Sequence, residues 1–391
     1  MKKILIICHT FSSGGGSEKV LDTLLGELSK WYKIDIIERL EDNTKMYPLP
    51  KNVKKLKSMS MSDNKNIEEK RNVFFGKLWR KLLAIITLLY PAFVYKQYIK
   101  KIYDFEISFN YLYPSLLIAH SKNKISKKIM WMHGSIENLD YKKYKDLSIV
   151  KYYLYYKMQK KAFEIADKII AISENTKNSI GVVYKDMIKK TNIIYNGYDF
   201  NDIGKKAEEK IHIKNNNVFR TVSVGRLDKN KNVALQIEAV KHLLDNNIMT
   251  VELYVVGSGE EEEILKQKSG KYLDKSIFFT GYLQNPYPIL KSSNVLLMTS
   301  YCEGFPTVIV EALSLGVPVI STDVGGSKEL VRDGENGFII DRNIEAVCDA
   351  IKKISSMNIS KNEIQDTVKS YTKEAWCLNV KKMLEESNAN S

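Results

Sequence analysis

The sequence predicts an α/β protein of two Rossmann-like, doubly wound domains facing each other across a cleft. Short apolar strand candidates alternate with helical patterns along most of the 391 residues, the grammar of parallel sheets covered by helices. That grammar starts afresh once, after the polar stretch Asn196–Asn217. At roughly 150 residues per domain, the length also calls for more than one.

The first domain, read as residues 1–200, opens with a strand at Lys3–Ile7, a glycine turn SSGGGSEKV, a helix at Glu18–Trp31 and a strand at Lys33–Ile37. Further strands are expected at Phe105–Phe109, Lys128–Met132 and Lys168–Ile172, with a helix at Lys151–Ile165. The second domain, 201–372, repeats the pattern. Its strands are expected at Arg220–Val224, Thr250–Val256, Ile277–Thr280, Val295–Met298 and Val317–Ser321, with helices at Asn232–Leu244 and Thr307–Leu315. Lys373–Glu386, in the segment 373–391, reads as a final helix containing Trp376. Ligands of such sheets bind outside the carboxyl ends of the strands, so candidate residues are sought there.

A content of 44% hydrophobic and 27% charged residues excludes a disordered chain. The four cysteines, Cys8, Cys302, Cys348 and Cys377, are widely spread with no C-x-x-C spacing. That fits a reducing compartment and argues against a disulfide framework or a structural zinc. The apolar run in MKKILIICHT is too short for a secretion signal and is read as the first strand.

Charge divides unevenly. Residues 1–200 carry 36 basic against 20 acidic side chains, whereas the rest of the chain is close to neutral. Such a field attracts nucleic acid or an anionic membrane. No nucleic-acid-binding signature is present, so no nucleic-acid partner is expected. Within 73–101, Phe74, Phe75 and Trp79 lie among lysines and arginines, and 14 uncharged residues separate Lys81 from Lys96. This is short of the roughly 20 that a spanning helix needs. A core helix and a membrane-surface element both fit, and the block 51–100, with 12 basic against 3 acidic residues, favours contact with an anionic surface.

The densest chemistry lies in SYCEGFPTVIVEALSLGVPVISTDVGGSKELV, Ser300–Val331. EGFPT between a strand and a helix presents backbone N–H groups at a helix N-terminus, a ready anion site. Glu311, about one turn into that helix, can accept two hydrogen bonds from a vicinal diol such as ribose. Gly14, Gly15 and Gly16 permit close backbone approach after the first strand. Gly257 and Gly259 form a similar turn, but Glu262 stands where a dinucleotide-binding fingerprint needs its third glycine.

Glu303 and Glu311, eight positions apart, followed by GVPVI and a GG turn, resemble the retaining GT-B glycosyltransferases of the glycosyltransferase group 1 family. GGGSEKV, MHG at 132–134, ADKIIAIS at 166–173, NGYD at 196–199, VGRLDKNKN at 224–232 and VVGSGEE at 255–261 extend the resemblance over nearly the whole chain. It implies that the first domain binds the acceptor, that the second binds the donor, and that the final helix crosses back to the first. Arg226 and Lys231 match the family's diphosphate-binding pair, which would stabilise the departing β-phosphate. Glu303 matches a residue beside the donor sugar, with sugar binding and electrostatics as its role rather than nucleophilic attack, since the family resembles front-face transfer. Gly304, Phe305 and Pro306 would wrap sugar and phosphate, Thr307 and Val308 would lie by the diphosphate, and Glu311 would hold the ribose. His133 would hydrogen-bond the transferred sugar as a neutral imidazole, Gly15 and Gly16 would border the phosphates, and Tyr282 would mark the base site.

The resemblance implies a hexose donor linked to UDP, no cofactor and no essential metal. The basic first half points to a lipid-linked or cell-surface polysaccharide acceptor at the cytoplasmic membrane face, with the protein peripheral there through 73–101. Two alternatives keep the fold: a soluble glycan acceptor, or a non-catalytic partner subunit of a glycosyltransferase complex. The acceptor region, 40–165, carries no further motif beyond MHG.

Overall fold

The computed structural model describes residues 1–12, 16–41, 48–61, 70–143, 148–211 and 218–389, with backbone alone at 61, 70–77 and 387–389. Two compact units form, one from Met1–Tyr198 with Lys373–Ser391 and the other from Asp199–Thr372.

The first unit is built on seven strands, β1 (Lys3–Cys8), β2 (Lys33–Glu38), β3 (Val53–Lys55), β4 (Phe105–Ser108), β5 (Lys127–Met132), β6 (Lys168–Ala171) and β7 (Thr191–Ile193). All pair in parallel, in the order β3-β2-β1-β4-β5-β6-β7. Helices cover both faces of such a sheet, so its strands read as unbroken apolar runs: β1, KILIIC, is buried at every position but the first. The covering helices include α1 (Gly16–Leu28), α2 (Lys70–Leu89), α3 (Pro91–Tyr98), α4 (Tyr113–Ala119) and α5 (Ser148–Ile165). Pro91, which lacks an N–H, takes the first position of α3. There the chain turns by 114° between Leu78–Leu89 and Pro91–Tyr98.

The second unit holds six parallel strands, β8 (Phe219–Val224), β9 (Val251–Val256), β10 (Ile277–Gly281), β11 (Val295–Met298), β12 (Val319–Thr322) and β13 (Gly337–Ile340), in the order β10-β9-β8-β11-β12-β13. This is the doubly wound order whose direction of growth reverses once, between β8 and β11. Helices α6 (Val233–Asp245) and α7 (Thr307–Ser314) leave the loops on either side of that reversal. The last helix, α8 (Lys373–Ala389), belongs to the first unit: its Trp376, Cys377, Val380 and Leu384 are buried, and Trp376 meets the fully buried Trp131 of β5 edge-on at 6.1 Å.

The sequence reading takes Asn196–Asn217 as linker, but Phe200–Lys206 is a helix of the second unit. Asp199 caps it by accepting the Asp202 amide at 3.0 Å, and Ile203 is buried. Three short strands, β3, β7 and β13, also escape the sequence reading. Each lies at the edge of its sheet, where one partner strand suffices and the apolar run is short.

Candidate active site

The carboxyl ends of β8 and β11 flank the reversal in the second sheet, and the loops leaving them make a polar pocket. Gly225, Arg226, Lys231, Gln236, Met298 and Ser300 line it. Glycine makes this packing possible. A Cβ on Gly257, at φ +141°, would stand 1.8 Å from the Gly225 carbonyl oxygen, and one on Gly259 would stand 2.3 Å from that of Leu227. The glycines after β9 therefore serve the close approach of two backbones, which their spacing alone did not distinguish from a dinucleotide turn. Among the bonds that join the loop after β8 to the loop after β11, Asn230 donates its side-chain amide to the Cys302 carbonyl at 2.9 Å, and the Tyr301 amide donates to the Asn230 carbonyl at 2.8 Å.

Within this frame Lys231 and Glu303, 72 residues apart, meet at 2.6 Å. The Gly225 backbone passes beside the Lys231 stem. Asn232 sits in the left-handed region at φ 49° and turns the chain from Lys231 into α6. Arg226 stays 85% exposed, with its Nε 3.6 Å from Asp228, so its guanidinium is loosely held and open to an incoming anion. The Ser300 hydroxyl oxygen is buried without a partner.

At the start of α7, no side chain caps the helix, and Pro306 precedes it in extended conformation. Thr307 and Val308 are half-buried in its first turn. The Gly304 carbonyl accepts the Gly326 amide at 2.8 Å, and Phe305 packs against Tyr371 with ring centres 5.7 Å apart. Glu311 is buried, and the Tyr287 hydroxyl donates to its Oε1 at 3.0 Å. Tyr287, 24 residues upstream, was not among the sequence candidates, since neither periodicity nor motif ties it to Glu311. Tyr282 is 66% exposed, just past the end of β10.

In the first unit His133 follows β5. Its ring lies 3.8 Å from that of Phe109, and its Nε2 is buried without a hydrogen-bond partner. Burial pushes its pKa down to about 3, so the imidazole is neutral near pH 7. His9, after β1, is likewise pushed down to about 4 by burial and then by the positive charge of Arg39. Gly16 begins α1; Gly14 and Gly15 lie outside the described residues, as does His212. Among the described residues no group of three or more His, Cys, Asp or Glu side chains could hold a metal ion.

Residues 204–374 match the family model of glycosyl transferases group 1. The chain is 30% identical over 230 residues to the capsular polysaccharide biosynthesis glycosyltransferase CapM of Staphylococcus aureus, a match covering 56% of this chain and 59% of that relative. It is 28% identical over 348 residues to the N-acetylgalactosamine-N,N'-diacetylbacillosaminyl-diphospho-undecaprenol 4-alpha-N-acetylgalactosaminyltransferase of Campylobacter jejuni, covering 87% of this chain and 86% of that one. Among solved structures, Anabaena HepE in complex with UDP superposes with a TM-score of 0.67 at 16% identity, covering 98% of this chain and all of that one. By these matches residues 204–374 are similar to the glycosyl transferases group 1, and the chain carries the GT-B fold.

Proposed function

We propose that this protein transfers a hexose from a UDP-linked sugar to a lipid-linked or cell-surface polysaccharide acceptor, with retention and without an essential metal, at the cytoplasmic membrane face. The observation that carries the reading is the cluster at the reversal of the second sheet, where Lys231, Glu303 and Arg226 gather beside the N-terminus of α7 and the buried Glu311. Glu311 binds the ribose hydroxyls, its carboxylate oriented by Tyr287. The N-terminal turn of α7 and the two cations receive the diphosphate. As the glycosidic bond breaks, Arg226 and Lys231 offset the charge gathering on the β-phosphate, a task that would otherwise fall to a metal. Glu303 aligns the Lys231 ammonium and contacts the sugar. His133, neutral and with an unused ring nitrogen, hydrogen-bonds the transferred sugar.

The acceptor reading draws on the acceptor in the Campylobacter relative's name, which is joined to undecaprenol through a diphosphate. It draws also on α2 and α3. Trp79, Leu82, Ile85, Leu89, Tyr90 and Phe93 are all exposed, and Arg80, Lys81 and Lys96 accompany them. An apolar surface of this extent, rimmed by cations, suits the interface of an anionic bilayer. Among the described residues no single helix is long and apolar enough to cross a membrane.

The test supplies labelled UDP-hexoses and a prenyl-diphosphate saccharide to the purified protein in EDTA. An α-linked product from an α-linked donor supports the reading. Transfer that requires a divalent ion, or inversion at the anomeric carbon, overturns its mechanism. Failure to float with phosphatidylglycerol vesicles at low salt overturns its location.

A further inference from the structure

The first unit holds a basic cavity at the amino end of its sheet, the end opposite to the loops where doubly wound sheets bind their ligands. Its volume is about 280 Å³, and five lysines and one aspartate supply its charged lining. The register of the strands builds it. Lys3 of β1 stands opposite Lys33 of β2, and Asp35 stands opposite Lys54 of β3. Side chains alternate between the two faces of a sheet, so these four share one face. Further along that face, Leu5, Ile7 and Ile37 pack with Val94 and Tyr95 of α3 in the core. Lys101 and Tyr103 border the cavity from the segment that follows α3, and Lys51 and Asn52 from the turn before β3.

Most of this positive charge is unbalanced. Asp35, the carboxylate of the lining, is committed: the Lys101 ammonium lies 2.6 Å from its Oδ2, and the Tyr103 hydroxyl donates to the same oxygen at 2.7 Å. Asp104, just beyond Tyr103, accepts the Lys3 backbone amide at 2.7 Å. Among the described residues Lys3, Lys33, Lys51 and Lys54 form no ion pair. Like charges that face each other across paired strands weaken the pairing, and Lys3 and Lys33 do so directly. An anion seated among these ammoniums removes that cost. The volume lies just under the roughly 300–1,000 Å³ of small-molecule sites, which leaves room for a phosphate with a small substituent. Each ammonium offers up to three donors and a full charge, the groups by which lysine binds phosphate oxygens.

We propose that this cavity binds a phosphate group, carried by a phospholipid headgroup or by a soluble phosphorylated compound. The site is separate from the residues assigned to sugar transfer and does not depend on that reading. The donor diphosphate is assigned to Arg226 and Lys231 in the second unit, whereas this cavity lies wholly in the first.

The test is calorimetry of the full chain with inorganic pyrophosphate at low salt, in the Arg226→Ala, Lys231→Ala protein so that the donor site contributes nothing. Pyrophosphate should bind. Lys33→Gln with Lys54→Gln in that background should weaken it about tenfold or more. Both lysines are exposed and outside any ion pair among the described residues, so this cavity variant keeps its fold. Lys122→Gln with Lys124→Gln removes the same charge from exposed positions in the loop before β5, and this control should change the affinity by about twofold at most. Saturating pyrophosphate should raise the unfolding midpoint of the parent and of the control but not of the cavity variant. Flotation with phosphatidylglycerol vesicles identifies the source of the phosphate. A loss of vesicle binding confined to the cavity variant gives the site to a lipid headgroup. Where pyrophosphate binds through the cavity, vesicle binding that is equal in the cavity variant and the control gives it to a soluble phosphate. If neither pyrophosphate nor vesicles distinguish the cavity variant from the control, the proposal is overturned. Because no turnover is needed, a protein that transfers nothing can still bind pyrophosphate here, which separates failure of this site from failure of the proposed function.

Discussion

Replacing Lys231 by alanine removes the cation that the donor phosphates would meet, and the structure fixes how large the effect should be. Its ammonium lies 2.6 Å from Glu303, with the two side chains 24% and 15% exposed. Both ends reach water, so breaking the pair costs about 1 kcal/mol of stability, the upper range for such pairs. The transition state is another matter. Unit charges about 4 Å apart at an effective dielectric near 20 interact by about 4 kcal/mol, and a charge-assisted hydrogen bond contributes about 1.5–3 kcal/mol. An ammonium with three donors can keep Glu303 and add a phosphate oxygen. Lys231→Ala should therefore lower kcat/KM for the UDP-sugar by about 10²–10³, while Tm falls by only a few degrees. Steady-state kinetics and thermal unfolding on one preparation check both numbers. A loss below tenfold in kcat/KM, or a collapse of Tm that accounts for the inactivity, would refute the argument.

Other consequences follow from neighbouring residues. Glu311→Ala should weaken UDP at least tenfold by calorimetry, and Tyr287→Phe should do so more mildly, because it frees the carboxylate without removing it. Gly257→Ala would press a Cβ against the Gly225 carbonyl at a φ unsuited to alanine, so UDP binding and the unfolding midpoint should both drop sharply. The pKa of His133 is depressed from 6.5 to about 3 in the fold, so the unfolded chain binds the extra proton between those values. Its contribution to stability is thus complete above pH 6.5 and is lost as pH falls toward 3. Urea melts at pH 7 and pH 4.5 should show a smaller acid destabilisation in His133→Asn than in the parent.

The strands of both sheet centres are legible because parallel strands buried on both faces leave continuous runs such as KILIIC and VLLM. β3, β7 and β13 are not, since three or four residues at an edge leave no run to read. Lys231 and Glu303 were nominated separately through the resemblance, but their contact spans 72 residues and depends on how two loops pack. Asn230 and the glycines 257 and 259 create that packing, and backbone-to-backbone approach leaves no side-chain pattern in the sequence. Tyr287 went unnoticed for a related reason: it acquires its role from Glu311, a neighbour brought by the packing of the second unit.

The central claim, a nucleotide-sugar site in the second unit, is tested most directly by calorimetry of the intact protein with UDP, GDP and ADP in the presence of EDTA. The account predicts micromolar binding of UDP, weaker binding of the other two, and loss of UDP binding in Arg226→Ala and Glu311→Ala. If no nucleotide binds, or if UDP binds equally well to both variants, the cluster around Lys231 and Glu303 is not a donor site.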